Sequence, residues 1–180
     1  ALGNRAKNYL GIGLGKPISI PIELVVGPEL TNDPLSTHQW GLRMLLDGAG
    51  YWDIQKDAPR DVVVAVIDRG VHTQHEDLQD TLMPAGGYNF ISNSQTLDIL
   101  DDRRAPNRSV THGQCSASII AAKPDNGVGM AGVFHRALIM PIQSEGHISE
   151  AINFAIDNEA DVILIAVAQG RTGIFCSQCI

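Results

Sequence analysis

Val62-Val-Val-Ala-Val-Ile-Asp68 is a continuous apolar, β-branched run that ends on a single carboxylate. Its length, and its lack of alternation between apolar and polar residues, fit a strand buried on both faces, as in a parallel sheet covered by helices. Two further strand candidates follow, Ala137–Ile142 and the buried run Val162–Val167. Between them Ile148, Ala151, Ile152, Ala155 and Ile156 recur at the spacing of one helical face. Ahead of the second strand, Ser116–Ala122 reads as a buried helix of small residues, stopped by Lys123-Pro-Asp-Asn-Gly127. Strand, helix, strand, helix, strand in this rhythm predicts βαβ units and a parallel α/β sheet covered on both sides.

The chain around this centre has 180 residues, enough for one domain with a real core. Hydrophobic residues make up 44% and charged ones 18%, which does not indicate disorder. The formal net charge of −7 argues against a nucleic-acid partner, and the densest basic pair, Arg103-Arg104, follows Asp101-Asp102. No apolar run reaches the roughly 18 residues of a membrane span. The amino end lacks the apolar core of a secretory signal and starts at Ala1, as expected of a processed or trimmed product. Three cysteines make no disulfide framework: Cys115 stands alone, and Cys176-Ser-Gln-Cys179 lacks the further ligands of a metal site and the strand-to-helix setting of a redox pair.

Residues 1–30 read differently from the rest, as an extended amino-terminal arm or the tail of a pro-region, with the main domain over 31–180. Gly11-Ile-Gly-Leu-Gly-Lys16 superficially suggests a phosphate loop. The spacing would need Gly where Leu10 stands and Ser or Thr where Pro17 stands, and no strand precedes it. Ile18–Val26 alternates like an edge strand, with Pro21 barring a central position. Asn32-Asp-Pro is a turn former, and residues 80–111 read as a long irregular connection without an internal repeat.

Two residues carry candidate chemistry. Asp68 would lie at the carboxyl end of a strand, where open α/β sheets place their working groups. An aspartate there can hold the Nδ1 proton of a histidine, or it can simply cap a turn with Gly70. His112 opens a helix of small residues and could serve as a general base, or it could be a surface loop histidine.

Taken together, the sequence blocks resemble the subtilisin-like serine proteases from Asn32 to about Ala168. Asn32-Asp-Pro-Leu and Gln39-Trp-Gly-Leu42 resemble the family's lead-in. Val66-Ile-Asp68-x-Gly-Val71 with His75-Glu-Asp-Leu78 resembles its Asp block, and His112-Gly113 with Ala117 and Ile119-Ile-Ala-Ala122 its His block. Asn126–Gly132 with Ala137–Pro141, and Ala151–Ala155 with Ala160–Ile163, resemble the segments that follow. The resemblance implies a Rossmann-like, three-layer parallel-sheet fold, incomplete on its C-terminal side. It makes Asp68 the orienting acid and His112 the general base of an Asp-His-Ser triad, with His75 structural. Ala166, Val167 and Ala168 fall at the family's substrate-binding segment. It further implies a polypeptide substrate, secretion, and no obligatory cofactor; the family often binds calcium, but no ligand cluster is visible here.

The departures are specific. Arg69 places a long cation beside Asp68, and competes with His112 if its head reaches the carboxylate. Gln114 stands in place of a threonine, Ser118 in place of a glycine, and Leu164 and Ala166–Ala168 in place of polar and glycine pocket residues. No counterpart of the serine block occurs before Ile180. Ser116, Ser118 and Cys115 lie on the His helix itself, too constrained to face Nε2 as nucleophiles. The expectation is therefore one part of a subtilisin-like endopeptidase, its serine supplied by a complementary segment. The alternative is a catalytically inactive, protease-like binding or regulatory module. In either case a sheet ending at Val162–Val167 leaves an apolar edge to be covered.

Overall fold

Four parallel strands form one sheet in the order β2-β3-β1-β4, in a computed structural model that describes residues 31–45, 55, 57–83, 86–95, 97 and 112–166. The strands are β1 (Val62–Asp68), β2 (Tyr88–Asn89), β3 (Ala137–Gln143) and β4 (Val162–Ile165). The helices that bear on the site are α1 (Trp40–Leu45), α2 (His112–Ala121) and α3 (Ile148–Asp157).

The apolar run that ends on Asp68 is central because both of its edges are paired. Its partners run from Val62↔Ala137 to Asp68↔Gln143 on one side and from Val64↔Val162 to Ile67↔Ile165 on the other. Strand side chains alternate between faces, so β1 feeds two apolar layers. Val64 and Val66 pack with Ala117, Ala121 and Ile139, whereas Ala65 and Ile67 pack with Met140, Ile142, Ala151 and Ala155. Helix α2 therefore covers one face and α3 the other, which makes three layers. The absence of polar alternation in β1 follows directly from having a helix on each side. Alanines at the contacts (Ala117, Ala121, Ala151 and Ala155, each 0% exposed) let both helices lie close to the sheet.

Some expectations are corrected. Helix α2 spans His112–Ala121, so the small-residue helix read over Ser116–Ala122 extends back to the histidine expected to open it. Residues 80–111 are not wholly irregular, since Tyr88 and Asn89 pair with Ile142 and Gln143. A two-residue strand carries too little pattern to read in sequence. β4 is less buried than read, with Val162 and Ile165 exposed, and among the described residues it is the last strand of the sheet, the apolar edge expected there. Ile156 also points away from the core at 60% exposure, so the stripe of α3 narrows to its alanines, flanked by half-buried Ile148 and Ile152. The arm over residues 1–30, the Gly11–Lys16 and Ile18–Val26 segments, Arg103-Arg104, Val167, Ala168, Cys176 and Cys179 lie outside the described residues.

Candidate active site

Asp68 is the last residue of β1, and its side chain is 1% exposed. A buried carboxylate must be matched by donors, and the chain supplies three. The Arg69 backbone N–H donates to Oδ1 at 2.7 Å. His112 Nδ1 donates to Oδ2 at 2.7 Å, and the Ser116 hydroxyl donates to the same oxygen at 3.3 Å. Bonding also holds the backbone in place, since the Ser144 N–H donates to the Asp68 carbonyl at 3.0 Å.

Helix α2 reaches this position because residue 113 is glycine. A Cβ there would lie 2.3 Å from the Gly70 carbonyl oxygen and 3.1 Å from Asp68 Cβ. Only a bare Cα lets the first turn of α2 sit on the Asp68–Gly70 turn, where Gly70 takes a φ of 118°. The imidazole of His112 is 55% exposed while its carboxylate partner is buried. With Nδ1 committed to Asp68, Nε2 is the nitrogen left to exchange a proton with solvent or substrate.

Arg69 does not compete for the carboxylate. Its guanidinium lies 3.5 Å from Glu145 Oε1, beyond the end of β3, while its backbone supports Asp68. Gln114, in the second position after His112, accepts the His72 N–H at 2.9 Å and so ties α2 to the segment after β1. His75 is engaged locally: its Nδ1 accepts the Asp77 N–H at 3.2 Å. The Ser116 hydroxyl is engaged by the same Asp68 oxygen that accepts from His112 Nδ1. Cys115 is a free thiol exposed on α2. Ala166 follows β4, and its N–H donates to the Ile67 carbonyl at 3.3 Å, one residue before Asp68.

A set of polar side chains that sequence reading did not single out holds the loop between α2 and β3. Asp33, 4% exposed, accepts the N–H groups of Asp125, Asn126 and Gly127. Asp77, 2% exposed, accepts from the Asn126 amide and the Met130 N–H. Gln39 bonds both the N–H and the carbonyl of Ala131, and Gln55 bonds the Val133 carbonyl and the His135 N–H. The available signal was the loop itself: a Gly-rich segment without regular structure still has backbone groups to satisfy. The same contacts bear on calcium. That ion needs six to eight oxygen ligands, yet both oxygens of Asp33 and of Asp77 face N–H donors. Among the described residues no three acidic, histidine or cysteine side chains converge. This donor set does not fit a calcium ion.

The subtilase family matches residues 59–178, two thirds of the chain and both members of the pair. The chain belongs to the subtilase family. It is 29% identical over 161 residues to the cell wall-associated protease of Bacillus subtilis, covering 79% of this chain and 17% of that protein. It is 28% identical over 154 residues to thermitase of Thermoactinomyces vulgaris, covering 79% of this chain and 50% of that enzyme. The solved complex of the Aeromonas sobria serine protease with its chaperone is 26% identical, with a TM-score of 0.48 over 58% of this chain and 18% of that one. The chain thus spans half or less of the length of these relatives. The parallel α/β fold expected of this subtilase is the one observed.

Proposed function

We propose that this subtilase chain contributes the Asp68–His112 pair of a serine endopeptidase that hydrolyses polypeptides, with the attacking serine supplied by a segment other than residues 1–180. The observation that carries the reading is the 2.7 Å bond between buried Asp68 and the solvent-facing imidazole of His112. In acyl transfer the histidine takes the serine proton at Nε2 as the hydroxyl attacks the scissile carbonyl, then passes it to the leaving amine. Asp68 keeps the ring in the tautomer that leaves Nε2 free, and balances the imidazolium while it exists. Residues Ala166, Val167 and Ala168 would line the substrate path; the first of them begins beside the end of β1. A location outside the cytoplasm is part of the proposal, supported by the cell-wall association in the name of the Bacillus relative.

The test is hydrolysis of a protein substrate by the full-length natural protein and by its Asp68→Asn and His112→Ala variants. The proposal requires turnover by the parent and a loss of several orders of magnitude in both variants. A parent that binds polypeptide without cleaving it would replace this reading with the inactive binding or regulatory module.

A further inference from the structure

We propose that Ser116 is a positioning residue, its hydroxyl sharing with His112 the Asp68 oxygen that orients the imidazole. The proposal rests on the assignment of Asp68 and His112 as the acid–base pair and goes beyond it. His112 and Ser116 are four residues apart on α2 and therefore lie on one helical face, one turn from each other. Gly113 lets that face come down on Asp68. The result is an oxygen, Oδ2, with two donors from the same helix: Nδ1 at 2.7 Å and Oγ at 3.3 Å.

The two bonds differ in what they can do. The imidazole is 55% exposed and has to remain responsive to a partner at Nε2, whereas the Ser116 side chain is anchored one turn deeper in the helix. With Arg69 N–H on Oδ1 and Ser116 on Oδ2, both carboxylate oxygens keep a donor when the imidazole shifts. The plane of the carboxylate is then set by groups that do not move with the ring. A second donor on Oδ2 also draws electron density from the bond to Nδ1, so the imidazole hydrogen bond is weaker than it would be with Oδ2 to itself.

The experiment reads the histidine side chain directly, by 15N NMR of the histidine-labelled full-length protein at a pH where the ring is neutral. The His112 signal is assigned from the His112→Ala variant. In Ser116→Ala the Nδ1 resonance should move downfield, toward a stronger bond to Asp68. Ser116→Thr, which keeps the hydroxyl, should return it to the parent position. Ser118→Ala, which removes another hydroxyl of α2, should leave it unchanged. A purely structural role would lower the melting temperature without this selective shift and its rescue. Should Ser116→Ala fail to fold, Ser116→Cys keeps the volume, weakens the donor, and should give the same downfield movement. An Nδ1 resonance identical in the parent and in folded Ser116→Ala or Ser116→Cys would overturn the proposal and leave the Asp68–His112 pair standing. A parent ring unprotonated at Nδ1 would overturn the pair and, with it, both proposals.

Discussion

Asp68 is held on both oxygens: among the described residues three donors converge on a carboxylate that water scarcely reaches. In Asp68→Asn one of the two accepting oxygens becomes an NH2 donor, so the donors on both sides cannot all be satisfied and the tautomer of the ring is no longer selected. The expected result in the full-length protein is a fall in kcat of about four orders of magnitude with KM little changed, measured with a chromogenic peptide. Gly113→Ala attacks the same arrangement from below. The new Cβ would sit 2.3 Å from the Gly70 carbonyl oxygen, so α2 must lift, at a cost of about 1–3 kcal/mol. The midpoint of urea unfolding measures that cost. Asp68 and His112 were legible because each sits at a chain position with a recognisable pattern, the end of an apolar strand and the start of a small-residue helix. The Arg69–Glu145 pair and the Ser116 hydroxyl were not, since the direction of a long cation and the reach of one hydroxyl depend on how the elements pack.

Between α2 and β3, order comes from side chains borrowed from elsewhere in the chain. Asp33 alone accepts three consecutive backbone N–H groups, and this anchors the loop that leads from the His112 helix into the sheet. Asp33→Ala leaves those donors without their acceptor and should lower stability by about 1–3 kcal/mol, with faster amide exchange over residues 125–127 as the local signature. The end of α3 offers a change of opposite sign. Glu159 holds the left-handed conformation at a φ of 59° while closing the helix onto Ile156, a role suited to glycine. Glu159→Gly should raise stability by about 0.5–1 kcal/mol, read from the thermal midpoint. At this scale the long elements were legible and the short ones were not. β1 and β3 carry enough apolar residues to declare themselves, but β2 has two residues, and the run Val162–Ile165 reads as buried although its place in the strand order puts it at an edge. Asn32-Asp-Pro forms the turn its sequence suggests, with the Ser36 N–H on the Asp33 carbonyl at 2.9 Å, but local propensity does not report the distant loop that Asp33 also serves.

The molecule separates stability from chemistry along the strand direction. The bonded Asp68–His112 pair lies at the carboxyl end of β1, while Arg60 forms a two-pronged pair with Asp161, at 2.6 and 2.7 Å, near the amino ends of β1 and β4. Asp161 also accepts the Val63 N–H. The Arg60 side chain, and after it the Val63 N–H, hold the Asp161 carboxyl at about 2, below its usual 3.8. A carboxyl lowered in the folded state contributes stability that is present above its unfolded value and lost as the pH falls through its folded one. Urea midpoints should therefore decline between pH 3.8 and about 2, and Asp161→Asn should flatten that decline without altering the Asp68–His112 geometry. Family and sheet were legible at this scale from the order of the blocks, because a parallel three-layer fold imposes its rhythm over the whole chain. Whether Asp68 and His112 serve a reactive serine is read out by fluorophosphonate labelling of the full-length natural protein beside its His112→Ala variant. A covalently labelled serine is expected in the parent, with labelling slowed by at least about a hundredfold in the variant, in line with the size of general-base contributions. A parent that takes no label, or two proteins labelled at the same rate, would contradict it.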